Sequence, residues 1–182
     1  QPKLFMLGNE AVALGALASG AKFMSAYPIT PSSEIMEYMV KYAPAEGGVM
    51  LQTEDEISAC TMAIGAAYAG ARAFTATAGP GLSLMAEAIG LAEMTETPLV
   101  VIDTQRGGPS TGLPTKHEQS DLMAAIYNTH GDTAKIVISP SSIEESFYDT
   151  FEAFNLAEEY QCPVIVLSDL QLSLGKQSVT SL

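Results

Sequence analysis

Three acids in a row, Glu54, Asp55 and Glu56, stand at the head of a run that carries no charge from Ile57 to Ala71 and is dense in Ala and Gly. A carboxyl placed where charge meets a dry interior has its protonation state decided by desolvation and by a single partner. Such a group can be tuned for proton chemistry. A second set of candidates lies in the Gly/Pro-rich stretch TQRGGPSTGLPTKHEQ, 104–119, which holds Arg106, Lys116 and His117. The chain has only eight Lys and Arg against 21 Asp and Glu, so two bases and one of two histidines in a single loop form a candidate anion site. Thr30-Pro31 is a third candidate, because Thr can cap free backbone N–H groups, Pro suits the first helical position, and a helix start favours anions. Gly79-Pro80-Gly81 turns a short apolar run into a helix; glycines there are what any tight turn requires.

Other chemistries lack their residues. There is no GxGxxG after a strand, no GxxxxGK[ST] and no GxSxG. His117 and His130 are too few for a zinc site, and no metal ligands are assigned to the chain. Cys60 and Cys162 are isolated, so they build neither a disulfide framework nor a four-thiolate cluster; Cys60 and the methionines read as core packing. His130, in Asn-Thr-His-Gly-Asp, reads as a turn residue. A formal charge of −13 repels nucleic acid and anionic membranes, and no stretch approaches the roughly 18 apolar residues that span a bilayer. No basic, apolar, small-residue leader follows Gln1, so a cytoplasmic location is expected.

The elements that must position these groups alternate. Short apolar strands are expected at 4–7, 23–27, 49–52, 73–78, 99–103, 135–138 and 164–167, and helices from Gly8, over 31–42, 57–71, 82–94, 120–126 and 141–158. Ser142 and Glu145 match a capping box at the start of the last helix. β-branched strands separated by helices imply a three-layer α/β/α domain with a mainly parallel sheet, over residues 1–170. The polar tail 171–182 reads as the start of a linker to a further domain. Helices 57–71 and 82–94 carry only Glu87 and Glu93 between them, so one face is expected to meet the sheet and the other a second subunit. Charged residues make up only 16% of the chain, which also leaves little surface for a lone domain.

In order, the segments Tyr27-Pro-Ile-Thr-Pro-Ser-Ser33, Glu56 with Gly65 nine residues on, T-A-G-P-G-L, and Asp103-Thr-Gln-Arg-Gly-Gly-Pro-Ser-Thr-Gly-Leu-Pro-Thr-Lys116 resemble the pyrimidine-binding domain of thiamine diphosphate enzymes. More narrowly, they resemble the α subunit of the 2-oxoacid:ferredoxin oxidoreductases, of 2-oxoglutarate type, over nearly the whole chain. The resemblance implies that Glu56 hydrogen-bonds a pyrimidine ring nitrogen and so activates the cofactor, a task suited to a carboxyl whose pKa burial has raised. It implies Pro28, Thr30 and Gly81 beside the cofactor, and Thr30, Arg106 and Lys116 on the substrate carboxylate, where a planar guanidinium fork is well matched. Position 117 departs from the family, which commonly has Thr there. Glu54 and Asp55 are left to favour a helix N-terminus.

The implied reaction is oxidative decarboxylation of a 2-oxoacid with coenzyme A, giving acyl-CoA, CO2 and reduced ferredoxin. Mg2+, the cofactor's diphosphate and an iron–sulfur cluster are expected on a partner β subunit, and a second copy of the chain is a further expected partner. Two alternatives stay open: the pyrimidine domain of a non-redox thiamine diphosphate enzyme, separable by viologen reduction, and a non-catalytic assembly subunit.

Overall fold

The computed structural model describes residues 3–180 and 182. In chain order the elements are β1 (Leu4–Leu7), α1 (Gly8–Ala18), β2 (Phe23–Ala26), α2 (Ser33–Tyr42), β3 (Val49–Gln52), α3 (Glu56–Tyr68), β4 (Ala73–Thr77), α4 (Gly79–Leu84), α5 (Ala86–Met94) and β5 (Leu99–Gln105). There follow α6 (Leu122–Tyr127), β6 (Ile136–Ile138), α7 (Ile143–Tyr160), β7 (Pro163–Asp169), α8 (Leu170–Leu174) and β8 (Lys176–Val179). Six strands form one sheet in the order β3-β2-β4-β5-β7-β6, and every pairing in it is parallel.

The strands are apolar on both faces because both are covered. Against one face, Val12 and Ala16 of α1, Ile35 and Met39 of α2 and Phe154 of α7 pack on Met24, Phe74, Val100 and Val164. Phe74 and Phe154 meet edge to face with ring centroids 5.7 Å apart. Against the other face, Cys60 and Ile64 of α3, Leu82 of α4, Ile89 of α5 and Ala125 of α6 pack on Leu99, Val101, Ile165 and Leu167. The result is the three-layer α/β/α arrangement that the alternating strands and helices predict. No helix among the described residues is long and apolar enough to cross a membrane.

Four local expectations are corrected. The second helix starts at Ser33 rather than Pro31, so Thr30 does not cap it; Ser32 precedes the helix and makes no side-chain cap bond. The turn is instead held from outside, where Asn9 Nδ2 donates to the Pro31 carbonyl at 2.6 Å and Arg106 to that of Thr30. The expected helix 82–94 is divided into α4 and α5 at fully buried Met85, whose N–H is shared between the Gly81 and Leu82 carbonyls, a tightened turn. Strand β5 runs past Asp103 because Thr104 and Gln105 pair with Ser168 and Asp169 of β7. Finally, 171–179 is folded rather than linker-like. Asp169 caps α8 by accepting from Leu172 N at 2.8 Å, and β8 pairs antiparallel with β1, setting Val179 beside Met6, Ile143 and Phe147. Its polarity is that of a ribbon covered on one side only, with Lys176, Gln177 and Ser178 exposed.

Candidate active site

The chain leaves β2 for α2 on one face of the sheet and leaves the neighbouring strand β4 for α4 on the other. A crevice opens beyond the carboxyl ends of two strands whose connections diverge in this way, and open α/β sheets bind ligands there. The segments that follow β2, β3, β4 and β5 carry Thr30, Glu56 at the start of α3, Gly81 in the first turn of α4, and Arg106 respectively to this edge.

The acid triplet divides by role. Asp55 is the N-cap of α3: its carboxyl accepts from Ser58 N at 2.7 Å and from the Ser58 hydroxyl at 2.9 Å, and these bonds hold it below the usual Asp range. Glu54 is exposed. Capping by Asp55 makes Glu56 the first residue of the helix, where its side chain turns inward and is only 7% exposed. Gly81 lies against it. A Cβ added at Gly81 would sit 2.8 Å from Glu56 Cγ and 3.0 Å from Glu56 Oε1, and would collide with Thr77 Oγ1. Only glycine lets the start of α4 approach the glutamate this closely.

Arg106 is buried beside this pair. Its Nη1 donates to the Thr30 carbonyl at 2.6 Å and its Nη2 to the Thr111 carbonyl at 2.8 Å, while Nε is buried without a partner among the described residues. Burial lowers the guanidinium from its ordinary value and the Glu56 charge offsets part of that, so arginine and glutamate share one electrostatic environment. The loop behind Arg106 is ordered by its own backbone. Gly107 N donates to Lys116 O, Leu113 N to Gly107 O, and Gly108 N to Glu118 Oε2. Gly112 sits at φ +50°, where a Cβ would strike the Gly107 carbonyl.

The structure therefore brings Glu56, Gly81, Arg106 and the Thr30 turn together. Lys116 joins only through its backbone; its side chain, like Pro28, is exposed. His117 Nδ1 lies 3.6 Å from Asp169 and His130 Nε2 3.3 Å from Glu87, both away from this cluster. Three further groups are not evident from sequence. Thr77 flanks Gly81, and Asn9 anchors the Pro31 turn from α1. Asp103, fully buried at the end of β5, faces Asp121. A polar residue in an otherwise apolar, two-sided strand or helix is the signal that could have found Asn9 and Asp103. A cleft lies elsewhere, at the opposite ends of β6 and β7, lined by Tyr127, Lys135 and Tyr160.

Comparison with known proteins gives the family and the fold. Residues 14–180 match the thiamine diphosphate-binding model of the pyruvate flavodoxin/ferredoxin oxidoreductases. The chain is 53% identical over 176 residues to a 2-oxoglutarate synthase subunit KorA of Methanothermobacter marburgensis, covering 97% of this chain and 47% of that protein. It is 46% identical to a 2-oxoglutarate oxidoreductase subunit KorA of Mycobacterium tuberculosis, covering 93% of this chain and 27% of that one. The solved 2-oxoglutarate:ferredoxin oxidoreductase from Magnetococcus marinus, with 2-oxoglutarate, coenzyme A and succinyl-CoA bound, superposes with a TM-score of 0.96 at 51% identity, over 97% of this chain and 31% of that one. The chain thus spans about half the length, or less, of the relatives it matches. It belongs to the pyruvate flavodoxin/ferredoxin oxidoreductase family and carries that family's thiamine diphosphate-binding domain.

Proposed function

We propose that this chain is the pyrimidine-binding half of a 2-oxoacid:ferredoxin oxidoreductase acting on 2-oxoglutarate. The observation that carries the proposal is the buried Glu56 carboxyl, set against the bare Cα of Gly81 at the switch-point crevice and sharing its surroundings with Arg106. These residues fit a thiamine pyrimidine: a carboxyl to face a ring nitrogen, and a glycine that leaves room for a flat ring close to the backbone. When bound, thiamine diphosphate supplies the electron sink for decarboxylation. Glu56 would hold a proton on that ring nitrogen, and Pro28 and the Thr30 turn would border the ring. Arg106 keeps a positive charge facing the crevice. To grip a substrate carboxylate it would use its unpartnered Nε or exchange one of its two backbone carbonyls, with Thr30 and Lys116 lending further donors.

The oxidation releases an electron pair to ferredoxin and passes the acyl group to coenzyme A. Nothing in this chain would carry those electrons, so a β subunit would supply the iron–sulfur cluster, the Mg2+ and the diphosphate site. A second copy of the chain would complete the assembly, in the cytoplasm. The names of the KorA relatives and of the Magnetococcus enzyme support this reading. Glu56→Gln and Glu56→Ala in the assembled enzyme should reduce 2-oxoglutarate-dependent, coenzyme A-dependent viologen reduction by on the order of a hundredfold or more, with the circular dichroism spectrum unchanged. Rates near wild type would refute the role of Glu56. Thiamine-dependent turnover without viologen reduction would point to a non-redox enzyme.

A further inference from the structure

Asp103 and Asp121 lie on the far side of α4 from Glu56, and nothing in the reading above employs them. Asp103 sits on the α4–α6 face of β5, with Thr77 and Leu167 beside it on the flanking strands, and is wholly buried. Neither of its oxygens meets an N–H or O–H donor among the described residues, and Asp121 Oδ2 is equally without one. The polar group acting on Asp103 across that face is the carboxyl of Asp121. Two carboxyls can hydrogen-bond only if one of them carries a proton, and two bare carboxylates in a dry interior would repel.

The backbone around the pair is fixed. Asp121 N donates to Gln105 Oε1 at 2.9 Å, and Gln105 Nε2 to the Ser168 carbonyl at 3.1 Å. Gly79 lies flat on the Asp121 carboxyl, where a Cβ would fall 2.7 Å and 2.9 Å from its two oxygens. Two residues further on, Gly81 touches Glu56. We propose that Asp103 and Asp121 are positioning residues for the reaction: they share one proton, and the resulting acid–carboxylate pair holds the start of α4, and with it Gly81, in place against Glu56. Burial raises both carboxyls, and with the Asp121 charge added Asp103 lies well above the usual Asp range, so the pair holds a proton where free carboxyls have lost theirs. Among the described residues, the other groups that face the pair are Glu118, Gln105 and Thr77, α4 brings no charge, and no base acts on either carboxyl. Loss of the proton at high pH leaves two adjacent carboxylates under the start of α4, and the repulsion is transmitted to the glutamate.

The activity arm of the test rests on the oxidoreductase reading; the spectroscopic arms do not. In the assembled enzyme, infrared spectra with isotope-labelled aspartate should show a protonated carboxyl at neutral pH that is absent from Asp103→Asn. Protection of the α4 amides against hydrogen exchange, taken relative to the intrinsic base-catalysed rate, should fall at alkaline pH in wild type but not in Asp103→Asn, whose amide is a permanent donor. Asp103→Ala should lower kcat by on the order of a hundredfold, and Asp103→Asn should recover much of that loss while removing the alkaline limb of the pH profile. Asp121→Asn, which leaves Asp103 a donor amide, serves if Asp103→Asn does not fold, and the labelled wild-type spectrum stands without any variant. The proposal is overturned by the lack of a protonated carboxyl, by a wild-type alkaline limb in the Asn variants, or by a stoichiometric divalent cation on the pair. An enzyme inactive with 2-oxoacids but positive in both spectroscopic arms would sink the oxidoreductase reading alone.

Discussion

At the scale of single residues, the site depends on one missing side chain as much as on one carboxyl. Gly81 has no room for a Cβ: Thr77 Oγ1 stands on one side and Glu56 on the other. Overpacking a tight contact costs ~1–3 kcal/mol, and here it would be relieved by displacing Glu56, the carboxyl on which the proposed role rests. Gly81→Ala is therefore expected to lose cofactor-dependent activity at least tenfold, and pairing it with Thr77→Ala should recover part, since that removes one of the two obstacles. Full activity in Gly81→Ala would count against the close approach. Arg106 can be tested in the same way. A lysine reaches one carbonyl where the guanidinium fork reaches two, those of Thr30 and Thr111. Arg106→Lys should therefore keep the charge facing Glu56 yet loosen the loop, raising KM for the 2-oxoacid more than it lowers kcat; an unchanged KM would refute a substrate role.

At the scale of elements, α3 shows what the sequence made legible and what it hid. The uncharged run after Glu56 requires cover on both sides, and the sheet supplies it on one: Cys60, Ala63 and Ile64 are buried, whereas Ile57 at 51%, Met62 at 40% and Tyr68 at 79% face outward. Leu84, Leu91 and Met94 of α4 and α5 are exposed on the same layer. Gly65 has no heavy atom within 4 Å of a built Cβ, so this chain's own packing does not require a glycine there. Gly65→Ala should stabilise the isolated chain by ~0.5–1 kcal/mol in denaturant unfolding, while a partner backbone lying close would make the same change weaken assembly. Met62→Glu and Leu91→Glu should leave the chain folded and more nearly monomeric by light scattering, and abolish co-purification with its partner subunit; retained co-purification would show that this face is not the interface. Strands and most helices were readable because each rests on local pattern, such as β-branched runs and a glycine turn; Glu56 was singled out by resemblance, and only the fold shows that Asp55 caps α3 and turns Glu56 inward. The Thr30-Pro31 start was misleading for the opposite reason. Its local signal is a good helix start, but bonds from Asn9 and Arg106, far away in sequence, fix the segment as a turn. The tail 171–179 likewise looks polar until β1 is there to pair with it. Asp103 is a charged letter in an apolar strand, and only the fold reveals that Asp121 faces it.

At the scale of the molecule, the balance of acids predicts how stability responds to pH. Burial raises Asp103, Asp121, Glu93 and Asp149 above their ordinary values, Asp103 most. In the window between the usual carboxyl range and those raised values the native state holds protons that the unfolded chain has released, so stability falls as pH rises through it. Fully buried Asp103 can contribute up to about 1.4 kcal/mol per pH unit across its window. Asp55 and Glu145 work the other way: each is held low by bonds to a neighbouring serine, and what they add is lost as pH falls through their depressed values. Lys135, lowered by burial, also opposes the first group, but only in the alkaline range between its own value and that of a free lysine. A formal charge of −13 adds self-repulsion that is greatest where all carboxyls are ionised. The sum places maximal stability on the weakly acid side of neutrality. Thermal unfolding by calorimetry should give a higher Tm near pH ~5.5 than near pH ~8, with the difference shrinking in Asp103→Asn, which has no proton to hold, and shrinking again in added salt, which screens the repulsion but not the buried pair. A Tm that rises steadily from acid to alkaline pH, or an Asp103→Asn profile that overlies the wild type, would mean that the buried carboxyls are not the groups that set it.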